Sequence, residues 1–179
     1  MSPKSILICG GGTAGWMAVN MFQHRWPNTQ ISLVESANLG IIGVGEGSTP
    51  YLKQFFQELG IRDEEWMPQC NATYKVGISF PNWSTREGYQ SYFHPFFSEL
   101  DVKPGEPFFH NAKLQKNGVD AAAHPDQYFV TAEMARRPCA PISKKYQQID
   151  IDYGYHFDSG LLGEFLKQRA ISRGLNHII

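Results

Sequence analysis

The chain has 179 residues, a length for one domain or little more, and at 42% hydrophobic and 13% aromatic it carries enough apolar mass for a buried core. Its net charge of −1, with no run of Lys or Arg, argues against a nucleic-acid or anionic-membrane surface. Cys9, Cys70 and Cys139 are far apart and form no C-x-x-C pair, which speaks against disulfides and zinc and for a reducing cytoplasm.

Met1 to Lys4 lead straight into a strand pattern, so no signal peptide is expected. No apolar run reaches the roughly 18 residues of a membrane span. Ser5 to Cys9 then reads as a buried parallel strand, short and apolar throughout. It runs into a glycine cluster in which Gly10, Gly12 and Gly15 have the spacing G-x-G-x-x-G. Glycine suits these positions because the motif needs a tight turn, a close backbone approach to a pyrophosphate, and close helix–strand packing. With Thr13 and Ala14 they would open a helix whose N-terminus favours an anion. Gly15, Ala18, Val19 and Phe22 lie on one face of that helix, and Pro27 ends it. Gln30 to Glu35 is a second strand, with Ile31 and Leu33 alternating and Val34 adding bulk. Glu35 stands 20 residues after Gly15, where an acidic side chain meets a ribose hydroxyl in dinucleotide folds. Residues 5–35 thus form a βαβ unit for a dinucleotide, with NAD and FAD both open.

A second glycine loop, Gly40 to Pro50, follows. Gly40, Gly43, Gly45 and Gly47 suit a backbone that approaches something closely or moves, and Ile41, Ile42 and Val44 are too apolar for a linker. Thr49 suits an N-cap with Pro50 at the first helical position. The helix runs from Tyr51 to Leu59 and Gly60 closes it. Asp63 to Cys70 reads as a short acidic helix disturbed by Pro68. Thr73 to Phe80 alternates as one strand, with Tyr74, Val76, Ile78 and Phe80 on the core face. Lys75 shares the other face with Gly77 and Ser79, which leaves room beside it; on the residues alone it reads as an exposed strand lysine.

Residues 81–148 are rich in aromatics, proline and histidine with poor periodicity. They read as an insertion in the nucleotide fold, its rings serving either core packing or a flat organic substrate. Arg136 and Arg137 read as a solvated face. Ile149 to Phe157 alternates as a half-buried strand. Asp158 or Ser159 caps a helix that stops at Gly174, and Asn176 to Ile179 begins a third strand. That last strand should continue into more sheet, so the sequence is expected to be an N-terminal piece. The six histidines show no ligand spacing and read as scattered; no metal site is expected.

Taken in order, these residues resemble the flavin-dependent halogenases of the tryptophan halogenase family. Gly10 to Trp16 is similar to that family's FAD fingerprint. Gly43-Val44-Gly45-Glu46-Gly47-Ser48-Thr49-Pro50 resembles its strap, the loop linking flavin and substrate sites. Asn71 to Ile78 resembles the stretch holding its catalytic lysine, here Lys75, and Tyr155 to Asp158 is also similar. Neither a W-x-W-x-I-P motif nor the family's later glutamate partner of the lysine is found. The resemblance implies a Rossmann-like FAD-binding α/β fold, a parallel sheet with flanking helices. Residues 1–60 and 149–179 would form the flavin part, and 61–148 an aromatic-rich insertion on the substrate side; the fold would be incomplete at the C-terminus. It implies FAD supplied reduced by a separate flavin reductase, with chloride or bromide as co-substrate. Gly10, Gly12, Thr13, Ala14, Gly15, Glu35, Gly43, Val44, Gly45, Glu46, Ser48 and Thr49 would hold the cofactor. Lys75 would handle hypohalous acid for an electron-rich aromatic such as tryptophan or another indole. An FAD-dependent aromatic monooxygenase, which has no use for Lys75, and an inactive nucleotide-binding fragment are the alternatives.

Overall fold

A computed structural model describes residues 3–39, 45–137, 139–143, 145 and 149–179. The chain packs as two units. The first holds the chain up to Gly47 with Leu52–Thr73 and His156–Ile179; the second holds Ser48–Tyr51 and Tyr74–Tyr155.

The first unit is built on a parallel three-stranded sheet. β1 (Ser5–Cys9) pairs with β2 (Gln30–Val34), and β2 pairs with β8 (Asn176–Ile178), in the order β1-β2-β8. Helix α1 (Thr13–Arg25) joins β1 to β2, and α6 (Ser159–Ser172) leads into β8. These two helices pack together. The expected βαβ unit and the third parallel strand are therefore present, and the α/β class is correct.

Two details differ. β1 is not buried throughout: Ser5, Leu7 and Cys9 are exposed, Leu7 at 62%, while Ile6 and Ile8 are half-buried. Among the described strands β1 is one edge of this sheet, and burial alternates across its two faces. The buried face of α1 is also rotated from the expected one. It consists of Trp16, Val19, Asn20 and Gln23 rather than Gly15, Ala18, Val19 and Phe22. The reason is polar. Asn20 Nδ2 donates to the carbonyls of Trp16 and Leu166, each at 2.9 Å, and Gln23 Nε2 donates to that of Ala170 at 3.0 Å. Two amides thus enter the interface as satisfied donors beside Val19, Leu162, Leu166 and Ala170, all at 0% exposure. Asp158 caps α6 as expected, its Oδ1 accepting from Leu161 N at 2.9 Å. Gly174 follows the helix at φ +84°.

Also in this unit, β3 (Glu46–Gly47) runs antiparallel to the last two residues of β7 (Gly154–Phe157), with Glu46 opposite Phe157 and Gly47 opposite His156. Helix α2 (Tyr51–Glu58) ends at Gly60, φ +67°. The short acidic helix is α3 (Asp63–Trp66), followed by a 3-10 turn at Pro68–Cys70. Phe56 stacks on Trp66 at 4.2 Å and Phe157 meets Trp66 edge-on at 6.2 Å, so this segment has its own aromatic core.

The second unit corrects three expectations. Thr73–Phe80 is two strands, β4 (Thr73–Lys75) and β5 (Gly77–Phe80), parted at Val76. β5 forms a hairpin with β6 (Tyr92–Pro95), in which β4 takes no part. Val76 supplies its carbonyl to Phe96 N at 3.0 Å, and Ile78 ends up 37% exposed instead of in the core. The aromatic-rich insertion is also more regular than its periodicity suggests. It holds α4 (Val102–Lys116) and α5 (Val130–Arg136). Pro104 stands in the first turn of α4, where proline is tolerated, and Ser98 and Asp101 form a capping box just ahead of the helix. Phe97, Phe108, Tyr128 and Phe129 pack ring on ring there. Finally, the strand read from Ile149 begins only at Gly154, with Ile149 47% exposed.

Candidate functional site

The glycine turn gives each of its three motif glycines a separate geometric job. Gly10 takes φ +113°, a backbone that side chains rarely adopt, and its N–H donates to Val34 O at 2.8 Å, tying the turn to the end of β2. A Cβ on Gly15 would fall 2.0 Å from Gly10 O, so that position sets the close approach of helix to turn. A Cβ on Gly12 would meet nothing within 4 Å: Gly12 faces open space at the mouth of α1. Gly12 is the N-cap of this helix. No side chain caps it and no acidic residue stands in its first turn, so the helix end is left to an external anion. These are the features a pyrophosphate needs, and the residues present fit a dinucleotide. Thr13 lies in this first turn with its hydroxyl donating to Ser159 O at 3.1 Å, and Ala14 is exposed beside it.

Glu35 stands at the end of β2, half-buried, and it is held. His177 Nε2 lies 2.7 Å and Lys167 Nζ 3.3 Å from its Oε1. A Cβ on Gly11 would sit 1.4 Å from Glu35 Oε2, so the middle glycine of Gly10-Gly11-Gly12 leaves the space that this carboxylate fills. Gly11, Lys167 and His177 were not among the expected site residues. A third glycine in the run was the one available signal for Gly11. His177, read as a scattered histidine, is instead a half-buried partner of Glu35, a pairing that a separation of 142 residues conceals.

In the second glycine loop, Gly43 and Val44 lie outside the described residues, as do Ile41 and Ile42. Gly45 and Glu46 are exposed in the first unit. Ser48 is anchored within the second: its N–H donates to Tyr155 O at 2.8 Å and its Oγ accepts from Tyr155 N at 2.9 Å. Gly154 packs so closely on Ser48 that a Cβ would come 2.6 Å from its carbonyl oxygen. Thr49 is exposed.

Lys75 is the last residue of β4, half-buried, with Nζ 5.6 Å from the centroid of the Phe96 ring, a cation–π arrangement. The space over its neighbour Gly77 is filled. A Cβ on Gly77 would lie 2.5 Å from the Phe93 ring and 2.3 Å from His94 O. The glycine is there to admit that ring, and the ring that Lys75 itself meets is Phe96. Among the described residues no group of three His, Cys, Asp or Glu side chains is placed to hold a metal ion. No helix among them is long and apolar enough to cross a membrane.

The family model for tryptophan halogenase matches residues 5–179. The chain belongs to the tryptophan halogenase family. It is 32% identical to tryptophan 6-halogenase SttH of Streptomyces toxytricini, an alignment that covers 99% of this chain and 38% of the relative. To 7-chloro-L-tryptophan 6-halogenase KtzR of Kutzneria sp. it is 34% identical, over 97% of this chain and 37% of the relative. The crystal structure of SttH superposes with a TM-score of 0.80 at 33% identity, covering 99% of this chain and 35% of that one. Xcc4156, a flavin-dependent halogenase from Xanthomonas campestris, superposes at 0.76 with 32% identity, covering 98% and 34%. The chain therefore spans little more than a third of the length of the family members it matches, and it shares their fold over that stretch.

Proposed function

We propose that this chain is the flavin-binding part of a flavin-dependent halogenase that acts on an electron-rich aromatic, tryptophan or another indole. The observation that carries the flavin assignment is the glycine turn. Gly10, Gly12 and Gly15 each have the geometry their motif position requires, and the chain belongs to a family whose named members include flavin-dependent halogenases. Gly10 turns the chain, Gly12 admits the pyrophosphate, and the N–H groups of the first turn of α1, from Thr13 through Gly15, receive its charge. Glu35 accepts from the adenosine ribose. By their resemblance to the family's strap, Gly43, Val44, Gly45, Glu46, Ser48 and Thr49 are assigned to cofactor binding.

When bound, reduced FAD supplies the electrons by which dioxygen oxidises chloride or bromide. A separate flavin reductase provides it in that state, and the setting is the cytoplasm. Three unpaired cysteines fit that compartment. Lys75 holds the resulting hypohalous acid beside the substrate ring. Its ammonium offers three donors, and position rather than intrinsic reactivity chooses the ring carbon. The aromatic floor under Lys75, Phe96, supports the cation on an apolar surface.

The test is product analysis. Protein given reduced FAD, air, bromide and tryptophan or an indole panel yields brominated product by mass spectrometry. Lys75→Ala loses halogenation by a factor of about 100 or more while FAD affinity stays within about twofold. Hydroxylated product alone would identify an aromatic monooxygenase, and a Lys75→Ala protein that still halogenates would remove the role given to the lysine.

A further inference from the structure

We propose that Lys167 and His177 are positioning residues that fix Glu35 for the adenosine ribose and thereby set a preference for FAD over FMN. The inference rests on the flavin reading above and concerns how its acidic residue is aimed.

Glu35 is wedged by its backbone before its side chain is considered. Its N–H donates to Ile178 O at 3.0 Å, while the preceding carbonyl, of Val34, accepts from Gly10 N at 2.8 Å. The residue is therefore clamped between the glycine turn and β8. Its carboxylate is then held from two further elements. His177 of β8 reaches Oε1 at 2.7 Å and Lys167 of α6 reaches the same oxygen at 3.3 Å. Because both contacts fall on Oε1, Oε2 is turned toward Gly11, over the space a Cβ would fill. A carboxylate accepts but cannot donate, so Nε2 is the ring nitrogen that carries the proton.

Both holding groups rest on one buried ring. Trp16 is 2% exposed; the His177 ring meets it edge-on at 5.4 Å, and Lys167 Nζ lies 5.6 Å from its centroid. Trp16 belongs to the first turn after the glycine cluster, so the parts that aim Glu35 are built from the cofactor turn itself. A pocket of about 280 Å³ opens beside them, lined by Gly11, Trp16, Glu35, Ser36, Leu39 and Lys167 among others. That volume is at the small end for ligand sites and suits one end of a dinucleotide, not the whole.

The physical need for the arrangement is twofold. A bare carboxylate next to a diphosphate repels it, and Lys167 offsets that charge at close range. A freely rotating Glu side chain must also be ordered when ligand binds; one already held loses less entropy on binding. The holding of Glu35 acts on the adenosine half of FAD alone, and the charge offset acts most on the phosphate next to the adenosine ribose, which FMN lacks.

Lys167→Met keeps the apolar stem on Trp16 and removes the charge, and Lys167→Arg keeps the charge. Binding of FAD, FMN and ADP is measured on the purified protein by flavin fluorescence and by ADP competition. ADP carries the adenosine without the flavin; FMN carries the flavin without the adenosine. Lys167→Met and His177→Ala should each weaken FAD and ADP by about tenfold and change FMN by less than about twofold. Lys167→Arg should recover most of the FAD affinity. Equal loss for all three ligands, or no loss for any, overturns the inference, as does a wild-type protein that binds FAD no more tightly than FMN. A wild-type protein that binds no flavin at all overturns the flavin reading and this inference together.

Discussion

The difference between Gly12 and Gly15 is a difference in what a methyl group would meet. At Gly15 it would lie 2.0 Å from a backbone oxygen, Gly10 O, which cannot rotate away. Gly15→Ala should therefore cost about 1–3 kcal/mol of stability in urea denaturation followed by tryptophan fluorescence. At Gly12 the methyl would enter open space. Gly12→Ala should leave stability within about 1 kcal/mol of wild type and yet weaken FAD binding, because in the proposed function the space it fills is where the pyrophosphate approaches. A protein in which both variants lose stability equally would mean that Gly12 is a packing residue. The motif spacing made these positions legible, since each glycine answers a local steric demand. Gly11 was not legible: its demand comes from Glu35, 24 positions away in the chain. The surroundings of Lys75 were not legible, since alternation along one strand says nothing of Phe96 arriving from another stretch of chain.

At the level of elements, the α1–α6 contact joins the two long helices of the first unit, and it is part polar. Asn20→Ala removes a donor to Leu166 O and leaves a void at a site 2% exposed; it should destabilise by about 2–3 kcal/mol. Asp158→Ala removes only the N-cap of α6 and should cost about 1 kcal/mol. Chemical denaturation that ranked the two in the opposite order would show that the helix end, and not the amide interface, holds this joint. Helical period alone placed the buried stripe one position off, because it weighs hydrophobicity and cannot see that an amide will find a carbonyl on another helix. The break at Val76 has the same origin: residue alternation continues through it, and only the pairing of β5 with β6, without β4, interrupts it. In α4 the prolines hid a helix that starts just before them.

Across the whole chain the three cysteines report on packing. Cys9 and Cys139 are exposed and Cys70 is fully buried. Burial pushes the Cys70 thiol up to about 11, with the charge of Asp158 adding to the effect. In native protein at pH 8, two thiols should react quickly with a disulfide reagent and the third only on unfolding. The linked stability has a definite sign. The unfolded chain releases the Cys70 proton at a lower pH than the folded one, so the folded state binds more protons in between. Stability tied to this group is complete below the ordinary thiol value of 9.0 and falls as pH rises from there to about 11. Cys70→Ala should flatten that part of the pH profile. Three thiols reacting at one rate would place Cys70 outside the core. The contact pattern of two units was beyond reach of local reading for a simple reason: the first unit draws on three separated stretches of chain.

By itself the sequence determined the βαβ start, the glycine turn, the capped last helix, the third strand and the family, because each depends on short-range sterics, helix caps or ordered motifs. The tertiary structure alone decided which face of α1 is buried, where the strand carrying Lys75 breaks, and what holds Glu35. Each of those is an interaction between residues far apart in the chain, and no local period encodes which distant group arrives. The glycine turn is readable in the sequence, but the contacts of Lys167 and His177 with Glu35 are brought together only by folding.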